Sequence, residues 1–167
     1  EKIDSKFIIC CKGVEKGSNK LMHQVLQDLF PTNGYAILSG PNFASEVIKG
    51  LPTASVLSSK SNKTLNEISS IISHKKFRTY FNNDIVGTQI GGAMKNVIAI
   101  ASGVIKGSNL GHNAGAALIT RGLSEIIDLG IQMGAKKSTF YGLSGIGDLT
   151  LTCSSLKSRN TKLGFLL

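Results

Sequence analysis

A long apolar run that contains a single charge constrains the fold of this chain most strongly. Between Asp84 and Lys106, Lys95 is the only charged residue. The apolar residues around it point in nearly all directions of a helical wheel. These residues are Ile90, Met94, Val97, Ile98, Ile100, Ala101, Val104 and Ile105. We therefore predict a helix that is buried almost all round and ends near Gly107.

The surroundings of Lys95 in this helix leave two interpretations open. Gly91 and Gly92 lie about one turn before it, so its ammonium leaves the helix from a face with little side-chain bulk. Each interior glycine costs about 1 kcal/mol relative to alanine, a loss that is explained if a second backbone or a ligand approaches closely. Alternatively, the glycines let two helices cross, and Lys95 reaches the surface along its aliphatic stem.

The first 82 residues predict strands that alternate with helices, and the remainder predicts helices only. We expect strands at Phe7–Cys11, Tyr35–Leu38, Thr53–Ser58 and Phe77–Phe81, and helices at 20–30, from 43 onward and at 63–73. Such alternation is typical of a sheet covered by helices, and the first apolar run suits a buried parallel strand. The predicted fold class is α/β followed by all-α, divided into residues 1–83 and 84–167.

Polar residues follow the first two predicted strands. Lys12 would stand at the carboxyl edge of a parallel sheet, where an ammonium can reach a phosphate or a hydroxyl. Gly40 permits close backbone approach, and Asn42 is placed to cap a helix that begins near Phe43. A solvated loop lysine and an ordinary capped turn explain the same residues without any ligand.

Two further polar clusters lie in the helical part. A glycine-dense turn leads to Asp148, and Thr152 follows four residues later on the same helical face. Asp148 is either a helix cap or a carboxylate that positions a lysine. Ser158, Arg159 and Asn160 begin the last amphipathic turn, where a guanidinium among free helix amides suits a phosphate.

Composition narrows the classes of partner. The formal charge is +9, but only three residues are arginines and aromatic residues make up 6%. Nucleic-acid interfaces concentrate arginine and aromatic side chains, so we expect no nucleic-acid partner and assign part of the charge to a phosphate-bearing ligand. Arg121 and Glu125, four residues apart, predict a local ion pair. The absence of a signal peptide or a membrane-spanning apolar run predicts a cytoplasmic protein.

The cysteines give no indication of a metal site. Cys10, Cys11 and Cys153 are odd in number and lack metal-ligand spacing with the histidines. We predict reduced, mostly buried thiols, with the adjacent pair closing the first strand.

Six separated stretches resemble one known family. They are Cys11–Gly13, Leu38–Ala44, Gly50–Ala54, Gly87–Ala101, Asn113–Glu125 and Gly142–Asn160. Together they resemble the NAD(P)-dependent glycerol-3-phosphate dehydrogenases of the bacterial type, over essentially the whole chain. The sequence contains no G-x-G-x-x-G fingerprint. The resemblance therefore implies the C-terminal part of a Rossmann-like dinucleotide-binding domain plus part of a helical substrate domain, with half of the cofactor site lacking.

The resemblance also implies an activity, its cofactor and its site residues. The reaction is reversible hydride transfer between NAD or NADP and C2 of dihydroxyacetone phosphate or glycerol 3-phosphate, a glycerophospholipid precursor. Lys95 would be the catalytic proton donor and acceptor, and a homodimer is expected. The implied substrate-binding residues are Lys12, Gly40, Asn42, Lys95, Asn96, Asp148, Thr152, Ser158, Arg159 and Asn160. The implied cofactor-binding residues are Lys12, Ala44 and Arg159, and no metal is implied.

Two alternatives come from other classes of function. A related dehydrogenase with another small substrate could share the Gly-Gly-x-x-Lys-Asn helix, but it would not be expected to share the Ser-Arg-Asn cluster. A non-enzymatic helical interaction module predicts that Lys95 can be replaced freely, and it gives no reason for three separated polar clusters.

Overall fold

The computed structural model describes residues 5–167, so the first four residues of the predicted α/β part lie outside the described range. The elements of the first part are β1 (Phe7–Ile9), α1 (Met22–Leu29), β2 (Tyr35–Ser39), α2 (Ala44–Ile48), β3 (Thr53–Ser58), α3 (Asn62–Ile72) and β4 (Phe77–Asn82). Those of the second part are α4 (Ile85–Gly107), α5 (Gly111–Gln132), a 3₁₀ turn (Lys137–Tyr141), a π turn (Leu143–Gly147), α6 (Asp148–Ser154) and α7 (Arg159–Leu166). The predicted order, α/β and then all-α, is confirmed for the described residues.

The four strands form one sheet in chain order, and its central pairing is antiparallel. β1 pairs parallel with β2 and β3 pairs parallel with β4, whereas β2 and β3 run in opposite directions with Leu38 opposite Leu57. The expectation of an open parallel sheet was therefore wrong at this pair. The five residues of α2 span roughly 7.5 Å, too short to return the chain along β2, which is about 17 Å long.

Helix α4 packs against both the sheet and the other helices. Near its start, Ile85 joins Ile9 and Ile37 in a buried cluster on one face of the sheet. Farther along, Ile90 and Ala99 join the main helical core, whose largest fully buried side chain is Phe140. On the opposite face of the sheet, α3 packs over a separate small cluster. Because α4 takes part in two of these cores, it fixes the helical part relative to the sheet.

The start of α4 is held by a buried carboxylate. Asp84 is 4% exposed, and its Oδ1 accepts the backbone N–H of Gly87 at 2.9 Å, which caps the helix. Its Oδ2 accepts the backbone N–H of Lys136 at 2.8 Å and the hydroxyl of Thr139 at 2.6 Å. One side chain therefore joins the first turn of α4 to the segment that leads into the π turn and α6.

Glycines allow the later helices to approach α4 closely. A Cβ added at Gly103 would collide with the carbonyl oxygen of Thr161, and one added at Gly164 would collide with that of Ile100. The helices α4 and α7 therefore cross with their backbones in contact, as expected when small residues face each other. The predicted close approach of a second backbone concerned Gly91 and Gly92, and it is found at Gly91, where an added Cβ would meet the carbonyl oxygen of Ser144.

Two predictions about burial were wrong. Val97 and Val104 of α4, seven residues apart on one face, are 57% and 40% exposed, because no described element covers that face. Cys10 and Cys11 are also exposed, since β1 ends at Ile9 rather than including them, while Cys153 is buried as expected. None of the helices in residues 5–167 is long and apolar enough to cross a membrane.

Candidate active site

Lys95 is buried in an ionic contact. Only 7% of the residue is exposed, and its Nζ donates to Asp148 Oδ1 at 2.5 Å and to Thr152 Oγ1 at 2.8 Å. The interpretation in which Lys95 reaches the surface was therefore wrong. Asp148 begins α6 and Thr152 lies one turn later, so the predicted spacing on one helical face delivers both groups to the same ammonium.

Lys12 occupies the second oxygen of the same carboxylate. Its Nζ lies 2.5 Å from Asp148 Oδ2, and its side chain is 25% exposed against 1% for that of Asp148. Lys12 lies just beyond the carboxyl end of β1, at the sheet edge where it was predicted, although it is not a freely solvated lysine. Two ammonium groups thus face one buried carboxylate, and the cluster is net positive.

The glycines before Lys95 make this geometry possible. A Cβ on Gly91 would collide with the backbone carbonyl of Ser144 in the π turn. A Cβ on Gly92 would lie 3.0 Å from Ser39 Oγ and 3.4 Å from the stem of Lys12. Gly91 therefore sets the distance between α4 and the turn that leads to Asp148, and Gly92 leaves room for Lys12.

Burial lowers the pKa of Lys95 from 10.5 to about 8. The largest cause is desolvation, which disfavours the charged amine. The Asp148 carboxylate opposes this shift, and the positive charge of Lys12 adds to it. A lysine with a pKa near 8 can both give and accept a proton close to neutral pH.

A cleft of about 650 Å³ opens above this cluster. All of the predicted site residues except Gly40 line it: Lys12, Asn42, Ala44, Lys95, Asn96, Asp148, Thr152, Ser158, Arg159 and Asn160. Gly40 instead packs on β3, where an added Cβ would lie 3.0 Å from the Cα of Ser55. The cleft therefore brings together the end of β1, the loop before α2, and parts of α4, α6 and α7.

The beginning of α7 forms one wall of the cleft. Ser158 is the N-cap of this helix, and its Oγ accepts the backbone N–H of Thr161 at 3.3 Å. Arg159 is exposed beside it, and Asn160 is partly buried. The wall thus offers a guanidinium, an amide and the positive end of a helix, all of which favour a bound anion.

Asn42 does not cap α2 as predicted. The N-cap is Phe43, and the amide nitrogen of Asn42 donates instead to Ser55 Oγ at 2.6 Å. Gly40 and the loop after β2 lie close enough to β3 for this contact to form. Ser55 was not singled out in the sequence, because within Thr53–Ser58 it looks like any small strand residue.

Lys157 is a second residue that the sequence analysis missed. It lines the cleft next to Ser158, and its Nζ lies 3.0 Å from Glu46 Oε1 of α2. Its position directly before the Ser-Arg-Asn cluster is the sequence feature that could have indicated its place in the cleft.

Away from the cleft, Arg121 and Glu125 form the predicted ion pair on the exposed face of α5, with 3.5 Å between Nε and Oε1.

Comparison with known proteins assigns both parts of the chain to one family. The model of the NAD-dependent glycerol-3-phosphate dehydrogenase C-terminus matches residues 84–167, and that of the N-terminus matches residues 2–65. A glycerol-3-phosphate dehydrogenase [NAD(P)+] of Clostridium perfringens (strain SM101 / Type A) is 46% identical over 99% of this chain and 51% of its own length. One from Zymomonas mobilis subsp. mobilis is 49% identical over 95% of this chain and 46% of its own length.

A solved structure supports the same assignment. The crystal structure of glycerol-3-phosphate dehydrogenase from Coxiella burnetii has a TM-score of 0.93 and 40% identity, over 96% of this chain and 49% of that one. The chain thus spans about half the length of the relatives it matches. The predicted Rossmann-type fold class is confirmed, whereas the division near residue 83 stays a prediction. The chain belongs to the NAD-dependent glycerol-3-phosphate dehydrogenase family.

Proposed function

We propose that the intact protein reduces dihydroxyacetone phosphate to sn-glycerol 3-phosphate with NADH or NADPH, and catalyses the reverse reaction. The observation that carries the proposal is the buried cluster of Lys95, Asp148 and Lys12 at the cleft. Two cations held by one carboxylate are suited to a reaction in which negative charge develops on a substrate oxygen. The product would serve glycerophospholipid synthesis.

Lys95 has the properties of the proton donor. Hydride addition to C2 of the ketone leaves negative charge on the carbonyl oxygen, which an ammonium stabilises and then protonates. A pKa of about 8 makes that proton transferable near neutral pH. Asp148 and Thr152 hold the amine in place through contacts of 2.5 and 2.8 Å, so little reorganisation is needed when the substrate arrives.

Lys12 and the wall at α7 are suited to hold the rest of the substrate. Lys12 is a quarter exposed at its side chain and can hydrogen-bond a substrate oxygen while keeping its contact with Asp148. Arg159 and Asn160 offer several N–H donors beside the free amides at the start of α7. A phosphate dianion at this wall would place the three-carbon chain of the substrate toward Lys95.

Residues at the start of α2 also line the cleft and suit a nicotinamide cofactor. Phe43 and Ala44 line the cleft where α2 begins, and the small side chain of Ala44 leaves room for a flat ring. Among the described residues, the buried Oδ1 atom of Asn42 has no hydrogen-bond partner, as expected for an acceptor that a ligand completes. Lys12, Ala44 and Arg159 would hold NAD or NADP, which when bound supplies or accepts the hydride.

The cellular location and the oligomeric state of the protein are also part of the proposed function. We place it in the cytoplasm, because a phosphorylated substrate and a charged dinucleotide do not cross membranes unaided. The homodimer expected from the resemblance stays a prediction, which sedimentation velocity of the intact protein would measure.

The experiment that tests this function is a substrate comparison with the intact protein. We expect NADH or NADPH to be oxidised with dihydroxyacetone phosphate, and far more slowly with unphosphorylated dihydroxyacetone at the same concentration. Equal rates with both ketones would favour the related dehydrogenase with another substrate. Binding of dihydroxyacetone phosphate without any cofactor oxidation would leave the non-enzymatic alternative.

A further inference from the structure

We propose that Ser55 is a positioning residue, which fixes the amide of Asn42 so that its oxygen accepts a hydrogen bond from a bound ligand. This inference rests on the proposed function and adds a residue that does not itself line the cleft. Ser55 lies on β3 and is completely buried, whereas Asn42 is part of the cleft lining.

The contact between the two side chains is short and sterically enforced. Asn42 Nδ2 donates to Ser55 Oγ at 2.6 Å. The loop can lie this close to β3 because Gly40 has no side chain: a Cβ there would be 3.0 Å from the Cα of Ser55 and 3.2 Å from the carbonyl oxygen of Ala54. Gly40 was predicted to let the backbone approach a ligand, but in the structure it lets the loop backbone approach that of β3.

The amide has one oxygen and one amino group, and the contact with Ser55 uses the amino group. The oxygen is buried and has no hydrogen-bond partner within residues 5–167. Lys12, Lys157 and Arg159 also line the cleft, and their positive charge favours an amide oxygen over an amino group at its lining. A buried amide oxygen without a partner costs free energy unless a ligand supplies a donor.

The ligand group that satisfies this oxygen must carry an O–H or N–H. Two groups of the proposed reaction qualify: the primary hydroxyl of dihydroxyacetone phosphate and the carboxamide of the nicotinamide. The phosphate does not qualify, because as a dianion it only accepts hydrogen bonds. The pair formed by Asn42 and Ser55 would therefore select for a donor at a point separate from the wall at α7.

The test compares two buried serines of the same strand in the intact protein. Ser55→Ala removes the partner of Asn42, whereas Ser58→Ala is a matched control, because Ser58 is equally buried and its Oγ has no partner in the described part of the chain. Two substrates are assayed: dihydroxyacetone phosphate and acetol phosphate, which lacks the primary hydroxyl. NADH affinity is measured separately by fluorescence titration of each variant.

We expect Ser55→Ala to lower kcat/KM for dihydroxyacetone phosphate about fivefold, mostly by raising KM. The kcat/KM for acetol phosphate should change little. This result would identify the substrate hydroxyl as the donor. An unchanged preference between the substrates with a similar loss of NADH affinity would identify the carboxamide. Either result supports the positioning role, provided that Ser58→Ala leaves the same quantity unchanged.

A double variant shows whether Ser55 acts through Asn42. In an Asn42→Ala background, Ser55→Ala should cause no further loss, because the group that it orients is gone. Equal losses toward both substrates with unchanged NADH affinity, or behaviour identical to that of Ser58→Ala, would overturn the inference. If the wild-type protein failed to reduce dihydroxyacetone phosphate at all, the proposed function would fail instead, so the two failures are distinguishable.

Discussion

Lys95 determines how the proposed reaction should depend on pH. Its pKa of about 8 lies below the ordinary value of 10.5 because burial disfavours the ammonium. Reduction of the ketone needs the protonated amine, so kcat/KM for dihydroxyacetone phosphate should fall as pH rises through about 8. Oxidation of glycerol 3-phosphate needs the neutral amine, so its kcat/KM should rise through the same range. Initial rates measured in both directions across pH check this, and a reduction rate that increased through this range would contradict it.

Arg159 should matter for the phosphate of the substrate rather than for chemistry. If Arg159 holds the phosphate as proposed, Arg159→Ala would remove a charge-assisted contact of about 1.5–3 kcal/mol. We therefore expect KM for dihydroxyacetone phosphate to rise roughly ten- to hundredfold. Arg159→Lys should restore only part of the loss, because a point charge cannot reproduce the planar fork. Because Arg159 is also proposed to hold the cofactor, part of the loss should be common to both ketones, and steady-state kinetics with dihydroxyacetone as the unphosphorylated control measure the additional loss for dihydroxyacetone phosphate. Equal losses of kcat/KM for both ketones would contradict the phosphate contact.

At the scale of single residues, the sequence indicated which groups meet but not how they are joined. The isolation of Lys95 and the spacing of Asp148 and Thr152 could be read from the chain. That Lys12 takes the second oxygen of Asp148 could not, because the two residues lie 136 positions apart and meet only through the fold. Ser55 was missed for the same reason, since its contact depends on the path of a loop.

At the scale of elements, the distance between α4 and the π turn positions the cluster. Gly91→Ala would gain about 1 kcal/mol of helix propensity, but its Cβ would collide with the carbonyl of Ser144, which is backbone and cannot move aside. We expect a net loss of about 1–3 kcal/mol in the free energy of unfolding, together with reduced activity as Asp148 moves away from Lys95.

Gly115→Ala is the matched control for this prediction. Gly115 lies in α5, and no atom of residues 5–167 lies within 4 Å of a Cβ placed there, apart from its own surroundings in the helix. The substitution should stabilise the protein by up to about 1 kcal/mol. Denaturant unfolding measures the free energy of unfolding of both variants. If Gly91→Ala and Gly115→Ala stabilised the protein equally, the close approach of backbone at Gly91 would be disproved.

Element boundaries were predictable where periodicity and capping agree, and less so where packing decides. The strand at Thr53–Ser58 has its predicted limits, and α4 ends where expected, at Gly107. The direction of β3 was not predictable from its composition, because a strand pattern is the same in both directions. The exposure of Val97 and Val104 on α4 was not predictable either, because it depends on which elements pack against that face, and no described element does.

At the scale of the whole molecule, the 167-residue chain by itself should bind NADH weakly. The sequence contains no G-x-G-x-x-G turn, the feature that holds the pyrophosphate in dinucleotide-binding domains. We expect no measurable heat of binding at micromolar concentrations of cofactor and no reductase activity. Isothermal titration calorimetry on the 167-residue chain and on the intact protein makes the comparison. Micromolar affinity in the shorter chain would mean that the cleft near α2 and α7 holds the cofactor unaided.

The family assignment concerns the whole molecule too, and it rests on several motifs together rather than on any one helix. The Gly-Gly-x-x-Lys-Asn segment alone allowed a related dehydrogenase or an interaction module. The cleft unites that segment with the loop before α2 and the start of α7. The identity of the ligand could not follow from the fold, because the same architecture can serve different small substrates.

Replacing the buried ammonium should not harm the fold. The folded protein binds the Lys95 proton less tightly than the unfolded chain, since its pKa is about 8 rather than 10.5. The ammonium therefore costs stability at neutral pH, and this cost fades as pH rises from 8 to 10.5. Lys95→Met, which leaves Asp148 paired with Lys12, should thus keep or raise Tm at neutral pH.

The most direct test of the central claim is the single-turnover rate of NADH oxidation by dihydroxyacetone phosphate in Lys95→Met. Lys106→Met serves as the control, since Lys106 is on the same helix and donates to the carbonyl of Cys153 away from the cluster. Loss of the proton donor should slow turnover by about 10²–10⁴-fold or more, with NADH affinity unchanged and Lys106→Met close to wild type. A folded Lys95→Met protein that turned over at a near-normal rate would contradict the assignment of Lys95 as the proton donor.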